Sequence, residues 1–202
     1  MGVYRQLRKI VKITTYTEVI MEQLSLLELK VLDFIQANFQ CRFLDVFFST
    51  VTKLADSGIF WILLAVIFLF FKKTRKTGLM MGVALLCGLI VGNLTLKPLI
   101  GRIRPYDLNP GVSLLIDKLH DFSFPSGHTL SSFEGATVLL IRDKRFGIPA
   151  MILAAIIALS RLYLYVHYPT DVLAGAVLGI TFGILAVSIV NAIDKKRKEL
   201  KA

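Results

Sequence analysis

Along much of this chain apolar residues run on without interruption. Four stretches, around residues 78–96, 127–141, 147–166 and 172–193, have membrane-spanning character, and a fifth, Ile59–Phe71, is shorter but can be lengthened by Leu54–Gly58. The segment before them has a different texture. From Leu24 to Leu54 the apolar residues Leu26, Leu29, Leu32, Phe34, Ile35, Phe39, Phe43, Phe47, Val51 and Leu54 recur at helical spacing, interrupted by Glu28, Lys30, Asp33, Gln36, Arg42 and Asp45. That pattern predicts a helix lying in the membrane interface rather than crossing it. The expected architecture is all-α: a polytopic membrane helix bundle of five spans plus an interfacial or sixth N-terminal helix. Residues 1–56 form a basic, amphipathic segment and residues 57–202 the transmembrane unit. Short connections and the lack of an internal repeat favour one bundle over two domains.

Composition supports the membrane reading, since 55% of the 202 residues are hydrophobic. The formal charge of +10 would point to nucleic acid in a soluble protein. Here the cations cluster between spans instead of along one face, so a nucleic-acid partner is not expected. The basic runs at 72–76, 142–145 and 195–201 alternate with segments poorer in positive charge. By the positive-inside rule all three are cytoplasmic, which sends residues 97–127 and 161–171 to the extracytoplasmic side and keeps the C-terminus inside. Five spans then put the N-terminus outside, whereas Arg5, Arg8, Lys9 and Lys12 favour the inside. A sixth, weakly apolar crossing before residue 56 would resolve the conflict. No apolar run follows those first basic residues, so a cleaved signal peptide does not fit. Cys41 and Cys87 are the only cysteines, and both read as packing residues. Gly88 with Gly92, and Gly175 with Gly179 and Gly183, are spaced to let helices approach closely in lipid.

The unusual polar chemistry lies at the ends of spans. The stretches at 97–105, 124–128 and 160–171 supply Lys97, Arg102, Arg104, Ser126, His128, Arg161, His167 and Asp171. Snorkelling would account for one cation at a helix end. It does not account for so many on the face where positive charge is usually sparse, together with two of the chain's three histidines. An anion bound there accounts for both, because arginine grips two phosphate oxygens with its planar fork and lysine adds a compact charge. Pro125 favours a turn, Ser126 is a suitable N-cap, and Gly127 admits close backbone approach. A helix beginning near His128 would therefore turn its free N–H groups and positive dipole end toward that anion. Pro169 suits the first turn of the next helix. His167 then precedes that helix and Asp171 lies in its first turn, close enough to accept from one imidazole nitrogen and leave the other free as a nucleophile.

These residues resemble the pattern of the type-2 phosphatidic acid phosphatase and vanadium haloperoxidase superfamily. Lys97 with Arg104 and Pro105, then Pro125 to His128, then Ser160 and Arg161 with His167 and Asp171, match it in order and spacing. The resemblance implies a metal-free, cofactor-free phosphatase working through a phosphohistidine. His167 would attack phosphorus, Asp171 would orient it and His128 would protonate the leaving oxygen, while Lys97, Arg104, Ser126, Gly127 and Arg161 hold the phosphoryl oxygens. Glu134 departs from what such proteins carry inside a span. It is expected to face the bundle interior and to pair with a site cation, with Ser131 or with a neighbouring helix. A chain made of spans and short loops suits a lipid phosphate delivered sideways from the bilayer. Undecaprenyl pyrophosphate comes first, with phosphatidylglycerophosphate and phosphatidic acid as alternatives. A haloperoxidase shares the anion pocket, but those relatives are soluble. A non-catalytic lipid-binding or transport protein would not need His128, His167 and Asp171 intact.

Overall fold

The computed structural model describes residues 2–200, and their regular structure is helical throughout. Helix α1 (Gly2–Phe39) breaks at Gln40 and Cys41, and α2 (Arg42–Val51) follows. A 3-10 turn, Thr52–Gly58, joins α2 to α3 (Ile59–Phe70). Ser57 and Gly58 are both left-handed there, with φ of 52° and 68°, and they bend the chain between the two helices. Next come α4 (Arg75–Cys87), a π-helical stretch (Gly88–Leu96), and the short helices α5 (Lys97–Ile100) and α6 (Pro105–Leu108). The bundle is completed by α7 (Gly127–Arg142), α8 (Lys144–Tyr163) and α9 (Pro169–Glu199).

Among the described residues, four helical stretches are long and apolar enough to cross a membrane: Arg42–Phe70, Arg75–Leu108, Lys144–Tyr163 and Pro169–Glu199. The other expected span, residues 127–141, is α7, which has only 16 residues and carries Ser131, Ser132, Glu134 and Thr137. It can be polar because the other helices surround it. It buries Thr129, Leu130, Ser132 and every residue from Glu134 to Leu139. Against α9 the backbones nearly touch: a Cβ on Gly175 would lie 2.8 Å from the Ser126 carbonyl oxygen, and one on Gly179 2.6 Å from that of Leu130. The expected glycine packing is thus present, on α7. Trp61 of α3 closes another side, its indole N–H donating to Ser132 Oγ at 3.1 Å.

Two apolar clusters divide the interior. One gathers Trp61, Met80, Met81, Ala84, Ala136 and Ala154 between α3, α4, α7 and α8. The other joins Leu29 and Leu32 of α1 to Tyr106, Tyr163, Leu164, Tyr165, Val166 and Tyr168, next to the polar constellation. The three basic runs belong to the opposite end, where Lys76 pairs with Asp194 at 2.7 Å and Arg142 Nε donates to Thr77 Oγ1 at 3.3 Å.

The N-terminal region differs from its sequence reading in two respects. Instead of one helix over 24–54 there are two, and α2 continues toward α3 in a stretch long and apolar enough to cross a membrane. Cys41 is exposed and is not a packing residue. It stands at the N-cap of α2, where its N–H donates to Tyr163 Oη at 3.3 Å. The side chains of Arg5, Arg8, Lys9 and Lys12 lie outside the described residues.

Candidate active site

Three helix ends and one loop converge here. Gly101, with φ 60°, terminates α5, and the chain after it carries Arg102 and Arg104, both buried. The loop from α6 to α7 brings Asp121 and Ser123, while the turn from α8 to α9 brings His167. His167 is 1% exposed. Its Nδ1 lies 3.4 Å from Asp171 Oδ2 and 3.4 Å from Ser123 Oγ, and its Nε2 lies 3.3 Å from Arg104 Nη1. A guanidinium only donates, so Nε2 must accept, and the bonding assigns the ring proton to Nδ1, facing Asp171. Burial lowers the His167 pKa, and the charges of Arg104 and Arg161 add to this against the pull of Asp171, leaving it at about 3. The ring is therefore neutral near pH 7, with the Nε2 lone pair available.

Asp171 is held from several sides. Arg102 Nη1 donates to Oδ1 at 2.6 Å, while Ser123 Oγ and the Tyr168 N–H donate to Oδ2 at 2.5 and 3.0 Å. Tyr168 is the N-cap of α9, with Pro169 at its first position, so the expected placement of His167 before the helix and Asp171 in its first turn is the observed one.

The cations surround His167. Arg104 donates to the Val166 and Asp121 carbonyl oxygens at 2.7 and 2.8 Å and to Asp121 Oδ1 at 2.6 Å. Lys97 Nζ pairs with Asp121 Oδ2. Burial would raise the half-exposed Asp121 carboxyl, but Lys97 and Arg104 prevail and hold it at about 2. Arg161 is 1% exposed and donates to Thr52 Oγ1, while its Nε and Nη2 have no partner among the described residues. Two unmatched donors on a buried guanidinium are costly until an acceptor reaches them.

At the head of α7, His128 Nε2 lies 2.8 Å from Asp56 Oδ1, on the bend before α3. Ser126 occupies the N-cap position but its side chain makes no capping bond. Its Oγ accepts from Thr129 Oγ1 at 3.0 Å, and its N–H donates to the Asp171 carbonyl oxygen at 3.1 Å. A Cβ on Gly127 would come within 3.2 Å of Asn93 Oδ1 and 3.8 Å of Lys97 Nζ, so glycine keeps the helix entrance open beside the lysine. Lys97, Arg104, Gly127, His128 and His167 line one end of a cavity of about 880 Å³. Along α3 and α4 its wall is apolar, formed by Ile62, Val66, Leu69, Leu85 and Leu86, while Asn93, Ser131 and Glu134 add polar groups to the lining.

Of the residues singled out from sequence, Lys97, Arg104, Gly127, His128 and His167 thus line the cavity, while Ser126, Arg161 and Asp171 are buried and do not line it. Asp121, Ser123, Thr52 and Asp56 were missed. Asp121 and Ser123 lie within five residues of Ser126, a proximity that could have drawn attention to them, whereas nothing in sequence singles out Thr52 or Asp56. Glu134 is buried but pairs with neither a cation nor Ser131. Its carboxyl packs into the notch left by Gly88, and Oε1 has no partner among the described residues. Of the expected partners it meets the neighbouring helix, while the cations are engaged by Asp121 and Thr52.

The sequence pattern of the PAP2 superfamily matches residues 75–195. An undecaprenyl-diphosphatase of Sulfolobus acidocaldarius is 36% identical over 145 residues, 70% of this chain and 70% of that one. The undecaprenyl-diphosphatase BcrC of Bacillus subtilis is 31% identical over 142 residues, covering 70% of this chain and 72% of that one. The crystal structure of Aquifex aeolicus LpxE superposes with a TM-score of 0.71 at 32% identity, over 79% of this chain and 94% of that one.

Proposed function

This chain belongs to the PAP2 superfamily and is a membrane phosphatase, and we propose that it hydrolyses undecaprenyl pyrophosphate through a phosphohistidine on His167. The observation that carries the chemistry is the unprotonated Nε2 of His167, set among Arg104, Arg161 and Lys97 at the head of an apolar cavity. In the first half-reaction the Nε2 lone pair attacks the terminal phosphorus, the bridging P–O bond breaks, and the departing oxygen takes a proton from His128. The ring then carries a positive charge opposite Asp171. In the second, water attacks the phosphohistidine, His128 takes its proton back, and inorganic phosphate leaves. Arg161 supplies its two unmatched donors, and the phosphoryl group displaces Asp121 from Lys97 and Arg104. Phosphoryl transfer needs mainly this positioning and charge. The cations take the place a metal often fills, so chelators should not change the rate.

The apolar wall along α3 and α4 suits a lipid chain lying beside the bilayer core. We assign α7 as a fifth crossing, with the basic end cytoplasmic and the site extracytoplasmic. In α1 we place the exposed Leu27, Val31 and Phe34 in the membrane interface. A phosphate-release panel on purified protein in detergent tests the substrate. Undecaprenyl pyrophosphate should be turned over with the highest kcat/KM, and a higher value for phosphatidylglycerophosphate or phosphatidic acid would reassign it. Release from none of them would leave a lipid-binding protein. For sidedness, a cysteine at Asn109 should react with an impermeant reagent in intact cells and one at Lys144 should not; the reverse would place the site inside.

A further inference from the structure

We infer that Glu28 is a positioning residue for the nucleophile, acting through Arg102 and Asp171, and that α1 is therefore part of the catalytic apparatus. The inference rests on the reading of His167 as nucleophile. Arg102 is caught between two carboxylates: Nη1 donates to Asp171 Oδ1 at 2.6 Å and Nη2 to Glu28 Oε2. Ser25 Oγ accepts from Nη2 at 3.0 Å, and the guanidinium lies 3.9 Å over the Tyr168 ring. Ser25, Glu28 and Arg102 are 4%, 7% and 6% exposed and Asp171 is fully enclosed, so no solvent screens these charges. Glu28 also reaches α9 directly. Its Oε1 accepts the Thr170 N–H at 2.6 Å and its Oε2 the Thr170 hydroxyl at 3.0 Å, one residue before Asp171.

A mere tie between α1 and the bundle would not need this arrangement. Elsewhere α1 is already tied by Tyr165 Oη donating to Asp33 at 2.6 Å and Gln36 Nε2 donating to the Tyr163 carbonyl oxygen at 2.5 Å. What Glu28 adds is charge balance. With one carboxylate, Arg102 would neutralise Asp171. With two, a net negative charge remains, available to the ring of His167 when phosphorylation at Nε2 leaves it cationic with its proton on Nδ1. Glu28 thereby governs how strongly Asp171 supports the phosphohistidine, without touching substrate.

The test uses the full chain purified in detergent, with turnover expressed per vanadate-binding site so that misfolded protein does not count. Glu28→Gln should lower kcat per site about tenfold, the loss expected for an outer partner of a reacting group. KM and vanadate affinity should stay within about threefold, since the cations that grip the phosphoryl group are untouched. Glu28→Asp, which keeps the charge, should recover part of the loss, and Asp33→Asn, which cuts another tie of the same helix, should leave kcat per site unchanged. An unchanged kcat per site in Glu28→Gln would overturn the proposal, as would an equal loss in Asp33→Asn. Should Glu28→Gln yield no vanadate-binding protein, Glu28→Asp decides: kcat per site below the parent's supports the role, and an equal value removes it. Acid-stable labelling of His167→Ala from a 32P-labelled substrate would instead overturn the nucleophile assignment itself.

Discussion

Between Lys97 and Asp171, the groups assigned to the phosphoryl transfer fall in three short motifs. Between Ser25 and Asp56 there is no motif, yet Ser25, Glu28, Thr52 and Asp56 each bond a residue of those motifs or of their immediate surroundings. The difference reflects two kinds of physical demand. Groups that grip one phosphoryl unit must be of particular types at particular spacings, because they converge on atoms a few ångströms apart. A supporting group need only place an acceptor against a buried donor. Serine, threonine, aspartate and glutamate all do so from any helix that passes close enough, which leaves no spacing to recognise.

The largest expected effect tests the motif side. His167→Ala should lose about four orders of magnitude or more on every substrate, as expected when a covalent nucleophile is removed. His128→Ala should lose roughly a hundredfold on a lipid substrate but far less on p-nitrophenyl phosphate, whose leaving group needs no proton. Relief of His167→Ala by the aryl substrate, without relief of His128→Ala, would exchange their roles.

An intermediate effect tests the unpatterned side. Because Asp56 meets the site through His128 Nε2, Asp56→Asn should cost about tenfold on the lipid substrate and spare the aryl phosphate, copying the substrate dependence of His128 at reduced size. Equal damage on both substrates would mean that Asp56 serves the fold and not the acid, and the division between grip and support would fail at that residue.

A separate effect, read on stability and not on rate, concerns the imidazole itself. His167 sits at about 3 in the folded chain against an ordinary value of 6.5. As the pH falls from 6.5 toward 3, the unfolded chain takes up a proton that the folded one refuses, so stability declines on that account by about 1.4 kcal/mol per pH unit. His167→Gln removes the group and should flatten the dependence of the thermal midpoint on pH between 6 and 4. Parallel curves for parent and variant would show that the imidazole is not held neutral by its surroundings.

Some of the fold was legible in advance and some was not. The apolar runs that became α4, α8 and α9 were readable because lipid imposes a long, nearly uninterrupted apolar stretch. Helix α7 was readable by its apolar run but falls below spanning length, and its polar residues are tolerated because protein, not lipid, surrounds them. The N-terminal region was read as one interfacial or sixth helix, and the structure divides its residues 24–54 between two helices. Along α1 the polar interruptions at Glu28, Asp33 and Gln36 mark residues that bond the rest of the protein, while Leu27, Val31 and Phe34 point away. In a membrane, hydrophobic periodicity does not say which side of a helix faces the protein.

By itself the sequence determined the family, the helical class, and the identity of the cations, the two histidines and Asp171, since these follow from residue type, spacing and uninterrupted apolar length. Only the tertiary structure decided that Asp121 bridges Lys97 and Arg104, that Asp56 meets His128, that two donors of Arg161 find no partner among the described residues and that Glu28 backs Arg102. Residues 28 and 102, or 56 and 128, are linked by no periodicity. Their meeting depends on how α1 and the bend at Ser57 and Gly58 pack against the bundle, and a pairing between distant segments is a property of the packed chain alone.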